Sequence, residues 1–508
     1  MEFYAYLFFS LLLLICIRAL LQLTKKKKLP PGPTGLPIIG NLLAIGDRPH
    51  HSLTKLAKTY GPLMTIRLGF NTTIVASSAE MAREILLKKD RAFSGRPVPD
   101  AITAEKNYHM SILWLQCGPK WRSLRKVCNT KIFSSQRLDA QKDLRCQMMD
   151  EMVKRVMVAS EAGEAIGIRS LVFQTALSLL TKSMFSDDMI VDEKSNAVEE
   201  LEVLIERIME LEATPNLSDH FPFLKPFDLQ HIRRKMKVSY DRVHELIDQV
   251  IDQRLNRRAS QLPRSNDLLD TLLDHCDEHA AEEFNHDDIS LLLFVSSSPL
   301  HFRSDMYIGG TQPITATVEW AMAELLRNPI IMDKAKQELV ETIGHEKHIE
   351  EKDILQLPYL QCILKETMRL HYPVPLLIRH CTDTDIKICG YSIPKHTSVF
   401  VNTWALMQDP ENWENPTQFI PERFMESELE LMGTNLNFMP FGSGKRICPG
   451  LSLGVRMTSL LLASLINHFD WKLPDGMAAQ DMDMTDKFGV ALQKAIPLVA
   501  NPMVSSRG

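Results

Sequence analysis

The 508-residue chain has no Cys-x-x-Cys pair. Its nine cysteines are an odd number scattered at 16, 117, 128, 146, 276, 362, 381, 389 and 448. Neither a disulfide framework nor a zinc finger fits that scatter, and a reducing compartment suits the body of the chain. An excess of positive charge is also missing. The 58 Lys and Arg face 63 Asp and Glu, a net charge of −5, so nothing points to nucleic acid as a partner. No repeat of about 20–50 residues is visible. There is no glycine-rich dinucleotide segment, so a reaction that needs reducing electrons must take them from a second protein. Glycine, at 22, is outnumbered by proline, at 28. Many of the prolines punctuate the C-terminal third and imply a long irregular region there.

What is present begins with an apolar run. Phe3 to Leu23 reads FYAYLFFSLLLLICIRALLQL, about the length that spans a bilayer as a helix. Lys25, Lys26, Lys27 and Lys28 follow, and positive charge stays on the cytoplasmic side. The reading is a transmembrane anchor over 1–24, with Arg18 able to snorkel to the headgroups. A cleaved signal peptide is the alternative, but no small-residue cleavage site separates the run from the lysines. Leu29-Pro30-Pro31-Gly32-Pro33 cannot be helix, so 25–45 reads as a basic, Pro-rich hinge and 46–508 as the catalytic body.

From about Ser52 to Leu370 the pattern is mainly helical. Val203 to Leu211 and Val238 to Leu255 carry apolar residues on one helical face. Short β-type runs fall early (Leu63 to Leu68, Thr73 to Ala76) and late (Ile386 to Ile388, Ser398 to Val401). The class is mainly α with small β-sheets. Polar runs such as Glu161 to Glu164 and Asp187 to Ser195 read as solvated loops.

One segment carries chemistry. Residues 438–450 read Phe-Met-Pro-Phe-Gly-Ser-Gly-Lys-Arg-Ile-Cys-Pro-Gly. A thiolate that binds iron must be held deprotonated by the metal and by nearby donors. Backbone N–H groups in a glycine-rich turn can point at the sulfur, and Gly442, Gly444 and Gly450 allow the dihedrals such a turn needs. Phe441 can shield the sulfur from water. Leu451 to Phe469 then reads as an apolar helix whose N-terminus favours the thiolate's charge. The pattern Phe-x-x-Gly-x-Arg-x-Cys-x-Gly, complete at Phe441, Gly444, Arg446, Cys448 and Gly450, resembles the cytochrome P-450 family. That resemblance implies a haem-thiolate monooxygenase fold behind an N-terminal transmembrane helix. It implies haem b (iron protoporphyrin IX) with Cys448 as axial ligand, and Arg446 paired with a haem propionate.

Further segments extend the resemblance over nearly the whole chain. Glu366 and Arg369 lie three apart on one helical face, which by itself is most often a surface ion pair. Pro421-Glu422-Arg423-Phe424 stands between them and Cys448. In the family, Glu366, Arg369 and Arg423 correspond to a buried structural charge network. Trp121 and Arg125 fall where the family places propionate donors. His380 falls where it places a further basic propionate partner, although Arg379 is adjacent.

Two segments depart from the family pattern. The central helix should carry an acid and an alcohol that relay protons to oxygen. Here it reads Gly309-Gly310-Thr311-Gln312-Pro313-Ile314, with Gln312 in place of the acid and Pro313 in place of the alcohol. Pro313 lacks an N–H, so the Gly309 carbonyl is left free and a kink is expected. The second departure is Phe294 to Ser304. Ser296-Ser297-Ser298-Pro299 should interrupt the helix as a looped-out bulge, though eleven residues nearly preserve helical phase, three turns taking about 10.8.

The resemblance therefore implies an oxidoreductase of specialised metabolism that uses O2 and electrons from NADPH through a separate NADPH–cytochrome P-450 reductase. Lys126, Lys445 and Arg446 are candidate docking contacts. The other expected partners are membrane lipid and a small apolar or phenolic substrate. The expected location is the endoplasmic reticulum membrane, single-pass, with the body in the cytosol. Segments such as Met110 to Trp114 and Phe133 to Leu138 are similar to enzymes that oxidise benzylisoquinoline alkaloids and to terpenoid hydroxylases. The altered oxygen site favours phenol coupling or hydroxylation of such an alkaloid as the first expectation. A terpenoid hydroxylase and a haem-binding but impaired isoform are the alternatives. Substrate contacts are expected in Ile102–Met110, Tyr307–Gln312, Val374–Ile378 and Phe488–Ala491.

Overall fold

The structure is a computed structural model. It describes residues 29–105, 108, 111–186, 197–265, 267–279, 299–344, 349–381 and 384–504. The apolar run of 1–24 and its lysines lie outside these residues, as do the Asp187 to Ser195 loop and Phe294 to Ser298. No helix of the described residues is long and apolar enough to cross a membrane.

Helices dominate, as the periodicity predicts. Val203 to Leu211 sits inside the Ala197–Ala213 helix and Val238 to Leu255 inside the Ile232–Ala259 helix. The centre of the molecule is the Pro299–Arg327 helix. It packs on Ile168–Phe185, Leu451–His468 and Pro358–Leu370. One large core joins these helices through Ile314, Val318, Met322, Leu460 and Ile363, each at least nine-tenths buried. Leu451–His468 is apolar nearly all round because it is surrounded, and Phe469 starts a strand instead of ending that helix.

The main sheet joins early and late chain. Its strand order is Leu63–Leu68, Asn71–Ala76, Ser398–Asn402, Leu376–His380. The early hairpin is antiparallel and pairs in parallel with the late strand, Val75 opposite Phe400. The segment read as a hinge is pinned to this sheet from Pro30 onward. The Thr65 hydroxyl donates to the Pro30 carbonyl at 2.8 Å, and the Thr65 amide to Pro31 at 2.8 Å.

The central helix differs from expectation at one of its two odd features. Its described part runs from Pro299, so residues 299–304 are helical and do not loop out. The helix also continues through Pro313.

Candidate active site

Cys448 sits between a turn and a helix. Gly442 (φ +76°) and Gly444 (φ +72°) adopt left-handed backbone. A Cβ at Gly444 would lie 2.2 Å from the Leu86 carbonyl oxygen, so both its dihedral and its neighbour require glycine. Gly450 differs from the expectation. Its φ of −87° is open to any residue, and it packs instead close to the Phe133 ring and the Cys448 sulfur. The Cys448 amide donates to the Phe441 carbonyl at 3.0 Å, closing the turn. The Phe441 ring lies against Gly454, where a Cβ would be 3.3 Å from it. Burial pushes the Cys448 thiol up, opposed by the Gly450 backbone N–H and the positive charge of Arg125. Arg125 donates to the Ile447 carbonyl at 2.6 Å. The loop thus holds a sulfur deep in the molecule that keeps accessible surface.

Three arginines, Arg379 and Arg446 buried and Arg96 partly exposed, meet beside this loop. Arg446 donates to the carbonyls of Ser94 (2.9 Å), Ile112 (3.0 Å) and Leu115, and its guanidinium lies 4.9 Å from the Trp121 ring centre. Trp121 gives its indole N–H to the Ile112 carbonyl at 3.2 Å. Burial and mutual repulsion lower Arg96 to about 9 and Arg379 to about 10. The Arg379 Nε is buried without a hydrogen-bond partner. Arg379, not His380, faces this cluster. Neighbours on a strand point to opposite faces, and the His380 ring stacks on His396 at 5.6 Å. The sequence reading missed Arg96 and passed over Arg379. Only the strand register, Arg379 opposite Val399, decides between the two neighbours.

On the other side lies the central helix. Gly309 is exposed, and a Cβ there would meet nothing within 4 Å. Gly310 is close-packed, with Leu180 2.8 Å from the position of a Cβ. The Gln312 amide accepts from Gln493 of the C-terminal hairpin, so it is engaged as a tie between elements. Pro313 leaves the Gly309 carbonyl without its usual helical donor, and the Pro313 carbonyl accepts from Thr317 at 2.7 Å.

Glu366, Arg369 and Arg423 come together behind the loop. Arg369 makes a fork to Glu366 at 2.7 and 2.9 Å, and Arg423 donates to the same carboxylate at 3.0 Å. Arg369 also donates to the carbonyls of Met407 and Pro416. Its guanidinium covers Trp413, which packs edge-on to Phe438 at the start of the cysteine loop.

The family model described as cytochrome P450 matches residues 30–498. The chain belongs to the cytochrome P450 family. Geraniol 8-hydroxylase of Swertia mussotii is 44% identical over 481 residues, 94% of each chain. Geranylhydroquinone 3''-hydroxylase of Arnebia euchroma is 41% identical over 480 residues, 94% of this chain and 95% of that one. Drimenol monooxygenase of Persicaria hydropiper is 41% identical over 497 residues, 97% of this chain and 96% of that one. A solved zebrafish cytochrome P450 shares the fold with TM-score 0.73 at 24% identity, covering 90% of this chain and 99% of that one. This P450 is accordingly a haem-thiolate monooxygenase that draws electrons from a reductase.

The residues present fit haem. An anionic group is called for by the arginine cluster with its orphaned Arg379 Nε. A flat group is allowed by the open space at Gly309. Of the basic residues considered for docking a reductase, Lys126 and Lys445 are exposed, whereas Arg446 is buried and cannot touch a partner.

A small pocket opens next to the central helix. It is lined by Ile102, Glu105, Tyr108, Ser111, Leu113, Trp114, Glu212, Tyr240, Asp305 and Ile308. The expected segments Ile102–Met110 and Tyr307–Gln312 contribute, while Val374–Ile378 and Phe488–Ala491 do not line it. Glu212 and Tyr240 come from two other helices and were not anticipated. Neither departs from its helix's pattern, so only their meeting in space marks them.

Proposed function

We propose that this P450 hydroxylates a small, largely apolar terpenoid-type substrate at the endoplasmic reticulum membrane, with NADPH as the electron source. In this reading Cys448 ligates the haem iron, Arg96, Arg379 and Arg446 hold the propionates, and Glu366, Arg369 and Arg423 brace the loop. Haem supplies the oxygen activation once bound. The protein's own residues hold the sulfur, neutralise the propionates and shape the cavity.

The observation that carries the reading is the mainly apolar and aromatic pocket of Ile102, Tyr108, Leu113, Trp114, Tyr240 and Ile308 beside the central helix. The names of three relatives, hydroxylases and a monooxygenase of terpenoid-type compounds, support this substrate class over a benzylisoquinoline. Phenol coupling was the first expectation from Gln312 and Pro313. It has less support, because Gln312 is engaged by Gln493 and Pro313 leaves the helix continuous. The unbroken helix through Pro313 removes one ground for an impaired isoform.

The anchor over 1–24 and the lysines after it support a single-pass orientation with the body in the cytosol. The test of function is turnover in microsomes that contain a P450 reductase and NADPH, with geraniol as substrate. Product one oxygen heavier than substrate is expected. A reduced carbon-monoxide band at the thiolate position with no NADPH-dependent product from any terpenoid alcohol would overturn the reading.

A further inference from the structure

We propose that Glu212 makes this P450 select substrates that carry a protonated amine, with the ammonium held between the Glu212 carboxylate and the aromatic wall of the cavity. The proposal rests on the monooxygenase reading for the reaction and adds the charge of the substrate.

The cavity walls come from three sides. Ile102 to Trp114 supplies one, Glu212 and Tyr240 from paired helices a second, and Asp305 and Ile308 of the central helix the third. Three carboxyl groups face this space, and two are engaged. Asp305 accepts from the Ser111 hydroxyl at 2.8 Å and the Ile112 amide at 2.7 Å, tying the loop to the central helix. Glu105 stands 3.1 Å from the His244 Nε2. Glu212 receives one long hydrogen bond, from the Tyr240 phenol at 3.4 Å. No lysine or arginine is among the described residues that line the cavity.

An enclosed carboxyl without a cation is expensive to ionise. Burial first, then the negative charge of Asp305, pushes Glu212 up to about 8, and burial pushes Asp305 up to about 7. Glu212 also lies in the last turn of the Ala197–Ala213 helix, where the helix dipole opposes a carboxylate and favours a cation. A cation in the space would offset the repulsion from Asp305 and answer the helix dipole, while its pairing with Glu212 works against the cost of burial. The aromatic wall acts in the same direction. Tyr108, Trp114 and Tyr240 present rings to the cavity lining, and ring faces attract ammonium ions. A neutral alcohol would gain from the apolar surface but leave the acid protonated and the dipole unanswered.

The experiment compares two ligands with one carbon skeleton, geraniol and N,N-dimethylgeranylamine. A tertiary amine is chosen because its crowded nitrogen is a poor iron ligand. Binding is read from the optical change of the full-length, haem-loaded enzyme in membranes. The ammonium should bind at least ~10-fold tighter than geraniol near neutral pH, the range expected for a desolvated charge pair backed by aromatic faces.

Glu212→Gln should lower that preference at least ~10-fold. Glu212→Asp, which keeps the charge, should retain it. An unchanged thiolate carbon-monoxide band certifies that each variant is folded. The ammonium's affinity should rise as pH climbs through about 8 in the native enzyme but not in Glu212→Gln. Equal or tighter binding of geraniol, an affinity ratio unmoved by Glu212→Gln, or a nitrogen-ligated spectrum would overturn the proposal. Product formation is scored separately. If neither compound is oxidised, the proposed reaction fails while the affinity ratio still decides the charge preference.

Discussion

Single residues divide into those whose role is fixed by short-range spacing and those whose role is fixed by register. Cys448 and its loop belong to the first kind. Gly444 must be glycine because its dihedral and the Leu86 carbonyl both exclude a side chain, and ten consecutive residues are enough to show the pattern. Glu366 also reads locally, but its burial does not. It accepts from Arg369, Arg423 and the Ile420 amide. Glu366→Ala should cost about 3–5 kcal/mol, because two arginines lose the carboxylate that neutralises them. A lower chemical-denaturation midpoint and a smaller share of enzyme at the thiolate carbon-monoxide band would show it. Arg379 belongs to the second kind. Arg379→Ala should reduce haem content, measured as haemochromogen per protein, whereas His380→Ala should leave it near the native value. Equal losses would mean that the strand face has been misassigned.

At the scale of elements, the start of the body is latched to the end of the chain. His50 and His51, in the Pro49–Tyr60 helix, both contact Asp486 of the C-terminal hairpin, at 3.1 and 3.0 Å. Arg48 adds a third contact at 3.2 Å. Burial lowers His50 below the usual histidine value, and the surrounding histidines hold Asp486 well below the usual carboxylate range. Both shifts act in one direction on stability. Below about 6.5 an unfolded histidine takes up a proton that buried His50 refuses, and below about 4 an unfolded aspartate does the same relative to Asp486. Stability contributed by the latch is therefore present at neutral pH and is lost on acidification. A thermal midpoint that falls from pH 7 to pH 5 is expected, with a weaker fall in His50→Gln. An identical pH profile in that variant would remove His50 from the account. The sequence marked neither His50 nor Asp486. Their meeting was hidden, because 436 residues separate His50 from Asp486. The central helix gives the converse lesson. Its breakers were plain in the sequence, but residues 299–304 are helical and the helix runs on through Pro313, carried by surrounding packing.

At the scale of the whole molecule, one face is apolar where a soluble surface should be polar. The Leu36–Gly40 turn pairs with Leu68, and the Gly69 amide donates to Ile39. This brings exposed Leu36, Ile38 and Leu43 beside exposed Phe70. Phe70 packs edge-on to Phe223 at 5.7 Å, and its amide donates to the His220 carbonyl at 3.0 Å. Phe227 and Leu229 continue the patch. Segments nearly 200 positions apart in the chain thus form one exposed apolar surface, on the side where Pro30 leads back toward the apolar N-terminal run. The catalytic body should therefore hold a membrane by this face as well as by the proposed anchor, each buried apolar side chain contributing about 1.5–3 kcal/mol before entropy losses. A chain that starts at Lys25 should still sediment with vesicles. Phe223→Asp with Phe227→Asp should release it into the supernatant, while the thiolate carbon-monoxide band is preserved. If the shortened native chain stays in the supernatant, the patch does not bind lipid.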